Sequence, residues 1–244
     1  MTDIHCHILP DIDDGASGME ESLEMARMAL DSGVTDVIAT PHFRGEEESL
    51  SQLPRFERRY NQFRAAMKEA RIPLNLHLGA EILCLPQTPD LAKEKKLPTL
   101  GDTDYVLIEF FFDETFAYMD ESLQRIAACG YRIVVAHPER YGVIQDNPVL
   151  LEKWVRDGYV LQMNKGSVLG MFGSRTKHAA HAILEMGLAH LFASDGHSAT
   201  QRTPHMRKLT HWVESHCIRE YADVLLKRNP RRVLKGRPMV EPDI

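Results

Sequence analysis

Residues 2–15 read Thr2-Asp3-Ile4-His5-Cys6-His7-Ile8-Leu9-Pro10-Asp11-Ile12-Asp13-Asp14-Gly15. The stretch begins as a strand, about Thr2 to His7, and then breaks into a polar loop rich in Asp and Gly. His5 and His7 are two apart, so on a strand their side chains share one face, where both imidazoles can bind one metal ion. Cys6 lies between them and is expected to point the other way, as packing and not as a nucleophile.

The pattern of a short apolar strand ending in a coordinating residue recurs along the chain. After the loop, a helix carries Glu20 and Glu21 in its first turn, with Ser17 as its expected cap. Strands are expected near 34–40, 74–79, 105–110, 132–136, 159–163 and 190–193. Amphipathic helices alternate with them, the longest near 50–70, where Pro54 could shift the start. Seven strand–helix units in strict alternation imply parallel strands covered by helices. No Gly-x-Gly-x-x-Gly follows a strand, and no Walker A motif is present.

The polar residues favour a barrel over a doubly wound sheet. His5-Cys6-His7, Pro41-His42, Glu81, Glu109, His137-Pro138-Glu139-Arg140 and Asp195-Gly196-His197 all lie at or just past the C-terminal end of an expected strand; Asp13-Asp14 lies in a loop. In a closed β/α barrel those ends converge on one face, where active sites form. A lone His at a strand end is more often a hydrogen-bonded structural residue, but this many coordinating groups gathered without a cation would leave buried like charges. The candidate ligands are His5, His7, Asp14, His42, Glu81, Glu109, His137, Asp195 and His197. One metal needs about three or four protein ligands, so two or three ions are expected. Imidazoles mixed with carboxylates suit Mn, Fe or Zn better than an all-oxygen Ca or Mg cage.

Composition is ordinary for a globular protein: 244 residues, 43% hydrophobic and 26% charged, with net charge -6. A mild acidic excess gives no electrostatic reason to bind nucleic acid; the basic run Lys227, Arg228, Arg231, Arg232, Lys235, Arg237 reads as a solvated helix end. The four cysteines, Cys6, Cys84, Cys129 and Cys217, show no CxxC pair or disulfide framework. Neither a signal peptide nor a membrane-spanning run is visible. A cytoplasmic protein of one domain, 1–244, without direct membrane insertion, is expected.

These motifs, in this order, resemble the PHP-domain (polymerase and histidinol phosphatase) superfamily. The segments Asp11-Ile12-Asp13-Asp14-Gly15, Glu20-Glu21-Ser22, Ala39-Thr40-Pro41-His42, Gly79-Ala80-Glu81, His137-Pro138-Glu139-Arg140-Tyr141, Ser194-Asp195-Gly196-His197 and Arg202-Thr203-Pro204-His205-Met206 resemble its bacterial capsule and exopolysaccharide branch of manganese-dependent protein-tyrosine phosphatases. The resemblance runs across essentially the whole chain. It implies an α/β fold, a PHP-type distorted (β/α)7 barrel with a trinuclear metal site at the C-terminal ends of the strands. It also implies a ligand partition: His5, His7, Glu81 and Asp195 on the first ion; Glu81, Glu109 and His137 on the second; Asp14, His42 and His197 on the third.

The reaction implied is phosphotyrosine hydrolysis by a metal-activated hydroxide, with no phosphocysteine; no Cys-x5-Arg loop is present to form one. Arg140 and Arg202 are the expected phosphate clamps, because a guanidinium fork matches phosphate oxygens. A water or Asp14 remains open as the source of the leaving-group proton. The implied partner is a Tyr-phosphorylated bacterial kinase tail at the membrane, and some relatives assemble into rings through the Glu20-Glu21-Ser22 segment. The competing readings are a small-molecule phosphatase such as a histidinol-phosphate phosphatase, a PHP phosphodiesterase, and a non-catalytic scaffold. His77, His178, His181, His190, His211 and His216 match no constellation; His205 is a candidate for orienting a helix near the site. Tyr141 and Phe43 could stack on a substrate ring or pack in the core. The aromatic and acidic segment from Phe110 to Phe116 could be a pocket wall or an oligomer contact.

Overall fold

Among the described residues, short runs of three to five residues form nine strands: β1 (Thr2–Cys6), β2 (Asp36–Ala39), β3 (His42–Arg44), β4 (Asn75–Leu78), β5 (Glu81–Leu83), β6 (Tyr105–Glu109), β7 (Arg132–Ala136), β8 (Val160–Asn164) and β9 (Leu191–Ala193). The structure, a computed structural model, describes residues 1–240; the last four positions of the expected 1–244 domain lie outside them. Every ladder is parallel. One sheet has the order β1-β2-β4 and the other β3-β5-β6-β7-β8-β9.

The two sheets are parts of one barrel. β2 and β3 are a single strand interrupted at Thr40-Pro41, and β4 and β5 a single strand interrupted at Gly79-Ala80. Counted this way there are seven strands, as the sequence led us to expect. Pro41 has no N–H to give a ladder. Gly79 sits where a Cβ would stand 2.9 Å from Leu100 Cδ2 and 3.0 Å from Ile38 Cγ2, so the bend brings the backbone closer than a side chain allows. The last strand returns to the first. Asp195 N–H donates to the His5 carbonyl at 2.9 Å and His7 N–H to the Gly196 carbonyl at 2.8 Å.

Helices cover the outside: α1 (Met19–Asp31), α2 (Leu53–Glu69), α3 (Thr88–Lys93), α4 (Phe116–Ala128), α5 (Gly142–Asp146), α6 (Leu151–Arg156), α7 (Lys165–Val168), α8 (Ser174–Glu185), α9 (Arg207–His216), α10 (Arg219–Asp223) and α11 (Asn229–Leu234). Two local expectations change. Pro54 stands in the first turn of α2, and the residues before it, Glu47–Gln52, form a 3-10 helix instead. Ser17 is not the cap of α1; Gly18 holds that position without a side-chain bond. Ser17 instead donates its N–H and hydroxyl to Glu21 Oε2, at 2.9 and 2.6 Å. Glu21 Oε1 also accepts from Ala199 N–H at 3.0 Å, which ties α1 to the loop after His197.

The strand period of two sorts the core into two layers. Ile4, Ile38, Leu107, Val134, Val160 and Leu191 pack inside the barrel. Val37, Val106, Ile108, Val135, Leu161 and Phe192 face the helices. Burying each aliphatic side chain contributes roughly 1.5–3 kcal/mol, so the inner plug is a firm floor beneath the strand ends. A charge at Val134, which is fully buried, would break it. β1 departs from strict alternation: its register against β2 slips between Asp3 and Cys6. Ile4 therefore joins the inner plug while His5, the next residue, also faces inward.

Candidate metal centre and active site

The nine candidate ligands, eight expected at strand ends and Asp14 from its loop, converge on one mouth of the barrel. His5 comes from β1 and His7 from just beyond it; His42 opens β3, Glu81 opens β5 and Glu109 closes β6. His137 and Asp195 follow β7 and β9, both with left-handed backbone, φ 33° and 50°. Such a conformation is uncommon outside glycine and costs of order 1–3 kcal/mol. Here it belongs to the two residues that must turn inward as the chain leaves the barrel.

Their donor atoms lie close together. His5 Nε2 is 3.2 Å from Glu81 Oε1 and 3.5 Å from Asp195 Oδ1. His7 Nε2 is 3.2 Å from Glu81 Oε2. His42 Nδ1 is 3.2 Å from both Glu81 Oε2 and Glu109 Oε1, while its Nε2 is 3.2 Å from Asp14 Oδ1. His137 Nε2 is 2.8 Å from Glu81 Oε1, and His197 Nε2 is 3.5 Å from Asp14 Oδ1. Ligands about 2.1 Å from a shared ion stand roughly 3.0–3.4 Å apart, so these spacings suit a metal cluster. Three groups are each compact enough to hold an ion: His7, Asp14, His42 and His197; His5, His7 and Glu81; His42, Glu81 and Glu109. Glu81 lies at the centre, and His7 and His42 each reach two groups.

The electrostatics agree. Burial alone would push the Glu81 and Asp195 carboxyls up, yet the imidazoles around them hold both well below the usual carboxylate range. Burial also opposes charge on His5, but Glu81 and Asp195 raise it to about 9. His197 goes the other way: burial first, then the charge of His7, lowers it to about 3. Its ring centroid is only 3.9 Å from that of His7.

A supporting shell fixes the rings, and sequence reading missed most of it. His5 Nδ1 pairs with Gln162 Oε1 at 2.8 Å, and His7 Nδ1 with Asp13 Oδ2 at 2.8 Å. Asp13 also accepts from the backbone N–H of His42 and Gly15, at 3.0 Å each. Asn164 Nδ2 donates to Asp195 Oδ2. Buried Glu139 takes the Asn164 N–H on Oε1 at 2.8 Å. Gln162 and Asn164 did carry a signal: they are polar residues in an apolar strand, in phase with inward-facing Val160.

Both expected arginines reach this mouth. Arg202 Nη2 is 2.5 Å from Asp195 Oδ2, and its buried Nε has no partner. Arg140 Nη1 is 3.7 Å from the same oxygen. The other histidines stand elsewhere. His77 faces Asp36 at 3.5 Å, and His205 pairs with Asp31 at 3.3 Å. Phe43 and Tyr141 are fully buried, and the Tyr141 hydroxyl donates to the Ala136 carbonyl at 2.8 Å, so both are core residues. Cys6 lies in the layer facing the helices, where burial pushes its thiol well up.

Fold and site together define a parallel β/α barrel with a His/Asp/Glu cluster able to hold metal at its C-terminal mouth. The chain belongs to the family described as capsular polysaccharide synthesis, CpsB/CapC, whose model matches residues 1–235. It is 35% identical to the tyrosine-protein phosphatase YwqE of Bacillus subtilis, over 98% of each chain. It is 30% identical to the tyrosine-protein phosphatase CpsB of Streptococcus pneumoniae, over 96% of this chain and 98% of that one. Among solved structures it superposes, with a TM-score of 0.88 and 33% identity, on a chain from the crystal structures of those two proteins, described as metal-dependent tyrosine phosphatases. That match covers 99% of this chain and 98% of the other.

Proposed function

We propose that this chain is a metal-dependent protein-tyrosine phosphatase, with residues 1–244 forming one metallophosphatase domain. The observation that carries the proposal is the mouth itself, where nine clustered donors stand beside two guanidiniums. Membership of a family whose relatives are tyrosine-protein phosphatases supports the substrate class. His5, His7, Glu81 and Asp195 would hold one ion, Glu81, Glu109 and His137 a second, and Asp14, His42 and His197 a third. Mn2+ is the proposed occupant; Fe and Zn also suit such donors. Divalent ions there supply water activation and neutralise phosphate charge.

The chain's own residues do the rest. Arg202 offers its unpartnered Nε–H, and Arg140 its loosely paired guanidinium, to the phosphate oxygens. Asp195 holds both forks at the mouth until a phosphate takes its place. The phosphorus–phenolate bond breaks as the water oxygen adds, and the departing tyrosine oxygen needs a proton. Asp14, 66% exposed and 3.2 Å from His42 Nε2, is the candidate relay at the rim, with solvent water as the other source. The His42 hydrogen bond holds Asp14 below the ordinary carboxylate range.

The rim favours a flexible peptide over a small metabolite. Asp14, beside His42, and Phe112, beside Arg140 and His137, are exposed at the mouth. The proposed physiological substrate is the tyrosine-phosphorylated tail of a bacterial kinase that controls capsule or exopolysaccharide synthesis. The protein would act from the cytoplasm and be recruited to that kinase at the membrane; no helix among the described residues is long and apolar enough to cross one. The test compares phosphate release from a phosphotyrosyl kinase-tail peptide and from histidinol phosphate on the Mn-loaded protein. A higher kcat/KM on the peptide is expected. A preference for histidinol phosphate would overturn the substrate assignment and leave the metal chemistry standing.

A further inference from the structure

Two like charges converge on one carboxylate at the mouth. Arg140 and Arg202 both point at Asp195 Oδ2, and neither guanidinium has a second carboxylate partner among the described residues. Like charges this close repel, so something must hold the forks in place before a phosphate arrives. The structure supplies aromatic faces. The Arg140 guanidinium carbon lies 4.3 Å from the Phe112 ring centroid and 4.5 Å from that of Phe172. The Arg202 guanidinium carbon lies 5.6 Å from the Phe172 centroid. Phe172 therefore serves both arginines, and Arg140 lies over two rings. A guanidinium over a ring face is attracted by the ring quadrupole, while its N–H edges stay free for oxygen acceptors.

A second feature fixes the Phe172 ring. Gly166, in α7, lies directly behind it: a Cβ built there would stand 2.6 Å from Phe172 Cε2 and 3.0 Å from Cζ. The φ of Gly166 is not in the left-handed region, so space, and not backbone conformation, is what glycine provides at this position. Gly166 N–H is in turn held by Asn164 Oδ1 at 2.8 Å, and Asn164 is the residue that touches Asp195. The ring's seat and the carboxylate that the arginines share are thus built from one turn of chain.

Resting on the phosphatase reading, we infer that Phe172 is a positioning residue that pre-aligns Arg140 and Arg202 for phosphate, with Gly166 as the gap that seats its ring. Neither residue touches the reacting atoms. Their effect is on how strongly a phosphate group is held, because the forks no longer have to be ordered at the moment of binding.

The experiment uses the full-length Mn-loaded protein with three variants: Phe172→Leu, Phe172→Tyr and Gly166→Ala. Inorganic phosphate is the binding probe, followed by calorimetry, and phosphotyrosyl peptide is the kinetic substrate. Phe172→Leu removes both stacking contacts and should weaken inorganic phosphate about fivefold to thirtyfold, with KM rising by a similar factor and kcat changing less. Phe172→Tyr keeps the ring face and should restore most of the binding. Gly166→Ala pushes the ring from its seat and should resemble Phe172→Leu, although Gly166 itself touches neither arginine. For NMR the protein is loaded with diamagnetic Zn in place of paramagnetic Mn; in the wild type, two arginine Nε–H signals should be displaced by ring currents, and Phe172→Leu should move both.

Unchanged phosphate affinity in Phe172→Leu, or a loss that Phe172→Tyr fails to restore, would overturn the inference. If Phe172→Leu folds poorly by its melting curve, Gly166→Ala and the wild-type NMR signals decide alone, and undisplaced signals count against it. A wild type that binds phosphate but hydrolyses no phosphomonoester would instead defeat the phosphatase reading, leaving the binding and NMR comparison to judge the stack.

Discussion

His5 Nε2 and His7 Nε2 face each other across 3.2 Å. Each ring has its other nitrogen committed, to Gln162 Oε1 and to Asp13 Oδ2, both at 2.8 Å. Two imidazole lone pairs cannot share that gap unaided, so a positive charge, a proton or a metal ion, must lie between them. Glu81 and Asp195 on the flanks favour the same charge.

The outer bonds should therefore set metal affinity. Gln162→Leu keeps the volume but frees His5 Nδ1, and an unoriented ring binds less well. A loss of about 10- to 100-fold in Mn affinity is expected, measured by competition with a chromogenic chelator. An unchanged affinity would mean that the ring is held by packing alone.

Metal occupancy should also appear as stability, because the ions bind the assembled cluster and not the unfolded chain. At an ion concentration a hundred times Kd, the folded state gains about 2.7 kcal/mol per site. For a chain of this size that is roughly 5–10 °C in Tm. Scanning calorimetry of chelated and reloaded protein checks it; equal melting temperatures would contradict a cluster formed by the fold.

Cys6 should be dispensable for chemistry. It is fully buried on the face opposite the metal ligands, and burial keeps its thiol protonated. Cys6→Ala should retain kcat within about threefold, since a small core truncation costs stability first. Iodoacetamide should leave the wild type active. Inactivation by alkylation at Cys6 would contradict this assignment.

His190 should make the fold acid-sensitive. Its Nδ1 accepts the Leu161 N–H at 3.2 Å, and burial lowers its pKa to about 4. The unfolded chain, with an ordinary value near 6.5, binds the proton first as pH falls. Stability is thus intact above about 6.5 and is lost by about 1.4 kcal/mol per pH unit down to about 4. Denaturant titrations of the wild type and His190→Gln between pH 7 and pH 5 should show a shallower slope in the variant; parallel slopes would refute the coupling.

Much of the site was legible because the strand ends of a parallel barrel must meet, and six of the seven expected strands ended in a coordinating residue. His5, His42, His137 and Asp195 could be placed from that rule alone. The seven-strand count was legible too, and so were the strand ends at Thr40 and Gly79, but the return to strand at His42 and Glu81 was not, because it depends on how the strands pair with neighbours. The inward aim of His5 beside inward Ile4 required the register slip in β1, which alternation cannot foresee. Gln162 was visible as a polar residue in an apolar run, whereas its bond to His5 spans 157 positions. Phe172 carries no periodic signal, since it lies outside the strands and helices. Ser17 misled because a Ser before an acidic turn fits a cap, and here Glu21 reached back to it while Gly18 took the capping position.

The most direct test of the metal-centred account is phosphate release from a phosphotyrosyl peptide by Mn-loaded protein, by the same protein after metal stripping, and again after reloading. The account expects release to fall to the uncatalysed background on stripping and to return with Mn. Undiminished release from verified metal-free protein would contradict it, because the clustered histidines and carboxylates would then have no part in the reaction.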